Sequence, residues 1–199
     1  MSIDLDTLYD PPSEAIVRGV LPHLVAFHIA YLHEARFFCF ATGRAQGLDV
    51  SPRGGAPGFV RVLDDKTVAF GDFPGNNRIE SMRNLDEDPR AAMLFLFPGL
   101  EIFMRINGRA RVVTDEALRA TLEEGGKRPK TAVVLAIDEV LFHCGKAINR
   151  AQLWEPSAQL DRQSLPTPGK MKTAMLNGTA EDAQRLDTEY THNVRTKLY

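Results

Sequence analysis

Residues 36–72 read RFFCFATGRAQGLDVSPRGGAPGFVRVLDDKTVAFGD, a succession of short apolar runs cut by glycine, proline and aspartate turns. FFCFAT, GFVRVL and TVAFGD have strand length and are rich in aromatic and β-branched side chains, and the Asp64-Asp65-Lys66 turn joins the last two. This is an antiparallel meander. Downstream, AAMLFLF at 91–97, EIFMRINGRARVV at 101–113 and TAVVLAIDEVLFH at 131–143 supply further strands. Helices enter only singly. Between Asn76 and Asp88, Ile79, Met82 and Leu85 recur three apart and make a one-sided stripe that Pro89 ends, and a helix over 115–124 stops at Gly125-Gly126. The regular strand–helix alternation of a doubly wound parallel sheet is absent. The expected fold is therefore mainly β with α+β character: six or so antiparallel strands in a closed or half-closed barrel, with peripheral helices.

Outward from the sheet, Ser13 and Pro22 read as the starts of two short helices, so that 1–35 is a helical segment packed on the barrel of 36–156. Beyond Trp154-Glu155-Pro156, residues 157–199 read as a linker with Pro166 and Pro168 and two helices, over 170–176 and 180–194, that pack back on the barrel. The whole chain has 199 residues, with 24 Lys+Arg against 26 Asp+Glu, so no net field collects nucleic acid or an anionic membrane. Its uninterrupted apolar runs, such as 93–97 and 132–137, are far too short to span a bilayer, and the acidic start MSIDLDTLYD is not an export signal. Cys39 and Cys144 cannot build a disulfide framework and read as buried thiols. A soluble cytoplasmic protein is the expectation.

The standard nucleotide and hydrolase signatures are missing: no G-x-x-x-x-G-K-[ST], no G-x-G-x-x-G after a strand, no G-x-S-x-G. His23, His28 and His33 stand five apart, which turns their rings to different sides of a helix, so no metal site is expected. The most informative local feature is Asp72-Phe73-Pro74-Gly75-Asn76-Asn77-Arg78, a turn that ends a strand and opens a helix. An asparagine of the Asn76-Asn77 pair can cap the first turn, backbone N–H groups there lack partners, and Arg78 adds a forked cation. Such a turn seats a phosphate, or is simply a capped connection with a solvated arginine. Arg61 leaves a neighbouring strand, and nine of the ten basic residues between Arg44 and Arg111 are arginine, the side chain suited to bidentate anion contacts. SPRGGAPG, 51–58, reads as a rigid loop with bare backbone that a planar ligand can approach, or as a wide hairpin loop. Lys146 and Arg150 stand four apart on one face of a helical turn ahead of Trp154, either near a ligand or as a surface pair.

Taken in order, SPRGG-PGFVRVLDD, FGDFPGNNRIESMRNLDEDPRAAMLFLFPG, RINGRA and VLFHCGKAINRAQLWEP resemble the pyridoxamine 5′-phosphate oxidase-like FMN-binding split-barrel flavoproteins, and within them a bacterial subgroup that shares the GNNR and HC-K-R-LW stretches. The resemblance covers about residues 36–156. It implies a six-stranded split barrel, a homodimer, and FMN bound at the subunit interface. It places Arg61 and Arg78 on the FMN phosphate with Asn76 and Asn77 beside them, the backbone of Phe59 and Val60 against the isoalloxazine edge, and Gly71-Asp72 on a turn used against the flavin. Lys146 and Arg150 are expected to reach the cofactor from the second subunit. The C-terminal Trp–Arg–His stretch of true pyridoxamine phosphate oxidases is absent, since Trp154 is followed by Glu155-Pro156. The implied function is an FMN-dependent oxidoreductase acting on a small molecule other than pyridoxamine phosphate, possible donors including NAD(P)H. The alternatives are a flavin carrier or sensor without turnover, and a split barrel that holds the deazaflavin F420 or haem.

Overall fold

The computed structural model describes residues 4–162 and 164–199, which form two compact units, Met1–Ala147 and Ile148–Tyr199. The first holds seven strands: β1 (Phe37–Arg44), β2 (Gly47–Gly54), β3 (Val60–Asp64), β4 (Thr67–Asp72), β5 (Arg90–Leu96), β6 (Ile102–Val113) and β7 (Thr131–Cys144). All pair antiparallel in a single sheet of order β2-β1-β5-β6-β7-β4-β3. Helices α1 (Glu14–Arg18) and α2 (Ala26–Glu34) precede it, α3 (Glu80–Glu87) and α4 (Glu116–Thr121) interrupt it, and α5 (Lys146–Ala151) follows.

The sheet curls on itself. Four inter-strand steps separate β1 from β4, about 19 Å in a flat sheet, yet Phe38 and Phe40 of β1 meet Phe70 of β4 with ring centroids 5.1 and 5.2 Å apart. The two end strands, β2 and β3, are not paired with each other, so the barrel is split along that line. Inside lie Phe38, Phe40, Phe70, Met93, Phe95, Met104, Ile106, Leu135 and Val140, all fully buried, with Leu24, Leu32 and Ala35 added from α2 and its flanks. A smaller cluster on the outer face, Ala69, Ala132, Val134 and Leu122, is where α4 packs through Leu118.

The strand count is seven, not six. The difference lies in β2: Ser51–Gly54, expected as loop, continues the ladder against β1, with Pro52 opposite Cys39. Proline fits there because β2 is an edge strand, where a missing N–H costs no ladder bond. Only residues 55–59 remain as connection. Helix α2 starts at Ala26, not at Pro22, because the buried His28 accepts a hydrogen bond through Nδ1 from the Val25 backbone N–H (3.2 Å) and so supplies the cap that Val25 lacks.

The second unit contains α6 (Pro168–Leu176) and α7 (Ala180–Thr196), which pack against each other. Asp187 of α7 accepts from Thr167 Oγ1 at 2.6 Å and from the Gly169 N–H at 2.7 Å, satisfying the first turn of α6 from outside.

Candidate functional site

Strand alternation sorts the expected site residues onto two faces of the sheet. Val60 is buried and Val62 packs on the core, so Arg61 between them points to the outer face, where it is exposed and its Nε donates to the Thr121 carbonyl at the end of α4 (3.2 Å). Phe59 is only 8% exposed and stacks on Phe38 with centroids 5.6 Å apart. Its ring belongs to the core, which leaves the backbone of Phe59 and Val60 for contact with a ligand. β3 is an edge strand, and one side of its backbone lies outside the β4 ladder. Gly71 faces the outer side as well: a Cβ there would come within 2.9 Å of Pro129, closer than real side chains approach.

Asp72 ends β4 on the inner side. Its carboxyl is held above the ordinary carboxylate range by burial, an effect that Arg53 and then Lys130 oppose. From there residues 74–79 run exposed to α3. Asn76 Oδ1 accepts from the Arg78 N–H at 2.9 Å, Asn77 takes a left-handed conformation (φ 59°), and Arg78 Nε donates to Glu80 Oε1 at 3.1 Å. The Glu80 carboxylate is lowered first by a hydrogen bond from its own backbone N–H and then by Arg78. The expected asparagine cap is not formed. α3 begins at Glu80 after Ile79, which offers no side-chain oxygen, because Asn76 is already used in closing the turn at Arg78.

The structure keeps Asp72 to Arg78 together as one turn but records no contact between Arg61 and Arg78, which project from different elements. Lys146 and Arg150 are both exposed on α5, and among the described residues neither takes part in an ion pair.

One group of residues was not expected. On the inner face of β2, Arg53 Nη2 donates to Ser81 Oγ (3.3 Å) and lies 4.0 Å from Asp72 Oδ1, while Ser81 Oγ donates to Asp49 Oδ2 (2.5 Å). The period-two pattern Asp49, Ser51, Arg53 is the signal that reveals it, once 51–54 is read as strand. A second polar group lies on the outer face of β6 and β7: Glu139 accepts from Arg105 (3.3 Å) and Asn107 (2.6 Å), and the His143 imidazole is held below its usual range by burial and then by Arg105.

The family model described as pyridoxamine 5′-phosphate oxidase matches residues 25–144, that is 120 of the 199 positions. No curated protein matches the chain. Among solved structures, HupZ from Group A Streptococcus is 19% identical, with 59% of this chain and 92% of that one covered and a TM-score of 0.47. General Stress Protein 26 from Bacillus anthracis is 10% identical over 57% and 88% of the two chains, TM-score 0.45. The FAD binding protein from Mycobacterium smegmatis is 17% identical over 62% and 97%, TM-score 0.42. With the family match spanning α2 and every strand of the split sheet, the chain belongs to the pyridoxamine 5′-phosphate oxidase family.

Proposed function

We propose that this protein is an FMN-dependent oxidoreductase acting on a small molecule. The observation that carries the reading is the family match across 25–144, which takes in Arg61 and the whole 72–78 turn. The donor set fits such a cofactor: two exposed guanidiniums for a dianionic phosphate, a turn with asparagine beside it, and an edge strand with backbone outside the ladder. In this reading Arg61 and Arg78 hold the phosphate with Asn76 and Asn77, and the backbone of Phe59 and Val60 and the Gly71-Asp72 turn orient the ring. Lys146 and Arg150 supply positive charge toward it from the second subunit. FMN, when bound, supplies the hydride chemistry, and the protein contributes binding, orientation and charge.

The same reading makes the protein a homodimer with FMN at the subunit interface. Its support is apolar surface on the outer side of the sheet, where Leu94 is 36%, Val50 65% and Leu48 89% exposed in the single chain. Neither nucleic acid nor a membrane is a partner in it, and among the described residues no helix is long and apolar enough to cross a bilayer.

The absorption spectrum of the purified protein, followed by identification of the released chromophore, tests the proposal. FMN at one per chain, reduced by NAD(P)H and reoxidised on turnover, is the expected result. FAD, F420 or haem in its place, or no uptake of FMN by the purified protein, overturns the cofactor assignment. Bound FMN that no donor reduces makes the protein a carrier.

A further inference from the structure

We infer that Arg53 is a positioning residue that fixes both ends of the 73–80 connection and so presets the loop carrying Asn76, Asn77 and Arg78; the inference rests on the phosphate role proposed for that loop. Arg53 faces inward from β2 opposite the buried Phe38, and its guanidinium lies over the Phe40 ring, 6.0 Å from the centroid. From that platform one nitrogen, Nη2, reaches Ser81 Oγ at 3.3 Å and Asp72 Oδ1 at 4.0 Å. Asp72 is the last residue of β4 and Ser81 the second of α3. One side chain thus touches the residue before the connection and the residue after it. Ser81 is fastened again to β2 through Asp49 Oδ2, which also accepts from Ser51 Oγ at 2.9 Å. Nη1 of Arg53 donates to the Pro52 carbonyl at 2.9 Å and so fixes the guanidinium to the backbone of β2, while Nε is buried without a hydrogen-bond partner; Nη2 is the nitrogen that ties the two flanks of the loop to that strand. Residues 74–79 are all exposed and have little packing of their own. The Asn76–Arg78 and Arg78–Glu80 bonds shape the turn from within, and the ends fix where it sits on the sheet; order present before binding is affinity that does not have to be spent on closing the loop.

Hydrogen exchange of the full-length protein without ligand, compared between the parent, Arg53→Met and Ser81→Ala, reads the clamp directly. Amides of 73–80 should exchange about tenfold faster in Arg53→Met while the β5 and β6 amides keep their rates. Unchanged loop exchange overturns the inference whatever the flavin does. FMN titration gives the second readout. Arg53→Met should weaken binding about tenfold, Arg53→Lys should recover part of it, and Arg78→Met should cost less in the Arg53→Met background than in the parent. Strict additivity of the two substitutions also overturns the inference. If the parent binds no FMN, the phosphate role fails while loop exchange still decides on Arg53. Should Arg53→Met fail to fold, Ser81→Ala, which removes one anchor and leaves the guanidinium in place, is read in the same two assays.

Discussion

Arg61 and Arg78 are both exposed, and each spends one nitrogen on a neighbour, Thr121 O or Glu80, so the rest of each guanidinium can serve an incoming anion. Replacing either by alanine should weaken FMN about tenfold to a hundredfold, measured by quenching of flavin fluorescence, with little change in the potential of the flavin that stays bound. Lys146→Met and Arg150→Met should do the reverse, retaining FMN and lowering its potential by roughly tens of millivolts, because a cation near the ring stabilises the negatively charged reduced form. An unchanged potential in both makes α5 an ordinary surface helix. Asp72 yields a prediction of defined sign. Its folded pKa is raised, so its contribution to stability is fully present below the ordinary carboxylate value and is lost as pH rises through the raised one. Asp72→Asn should therefore gain melting temperature relative to the parent as pH rises above the ordinary carboxylate value of about 4. A difference that stays flat or falls with pH contradicts burial as the dominant cause. The strand end at Asp72 and the turn running to Arg78 were legible because glycine, proline and asparagine between an apolar run and a helical stripe stand out in sequence. The inward placement of Arg53 was not, since two prolines and three glycines around it imitate a loop.

Among the elements, β6 and β7 form the longest ladder, and one glycine permits its irregularity. The register shifts between Asn107 and Gly108, and a Cβ on Gly108 would lie 2.1 Å from the Ala136 carbonyl oxygen, a backbone atom that cannot swing aside. Gly108→Ala should destabilise the fold by about 1–3 kcal/mol or more, read from urea midpoints, while the same change at the solvent-facing Gly75, where no atom lies within 4 Å, should be near neutral. In the second unit, Asp187 is depressed first by the Thr167 hydroxyl and then by the Gly169 N–H. A depressed carboxylate stabilises above its unfolded pKa, and that contribution is lost as pH falls through the folded one. Asp187→Asn should lower the helical melting midpoint at neutral pH and make progressively less difference in acid, by circular dichroism. Helix existence was readable throughout from spacing, whereas the starts of α2 and α3 were displaced. An imidazole replaced the usual oxygen cap in α2, and in α3 the asparagine meant for the cap closed a turn upstream instead. Neither event leaves a trace in apolar periodicity.

At the scale of the whole molecule, the sheet places small and apolar groups on its outer side, and the proposed dimer covers them. Light scattering at micromolar concentration should give twice the chain mass, and Leu94→Glu, which sets a charge on the exposed face of β5, should shift the protein toward monomer with loss of FMN. A flavin-loaded monomer contradicts the shared site. The barrel was legible as a class from its short strands and turns; its strand order was not, because pairing between distant segments leaves no local pattern. That order has a consequence for how the chain is made. β2, β1, β5 and β6 can assemble among themselves, and so can the β3–β4 hairpin, but the two groups are hydrogen-bonded into one sheet only through β7, which pairs with β6 on one side and β4 on the other. A nascent chain that has emerged only as far as residue 130 therefore holds an orphan hairpin and an open four-stranded sheet with apolar edges, a species suited to chaperone capture. Folding waits on the arrival of Thr131–Cys144, so the last strand synthesised is the one that turns two fragments into a barrel.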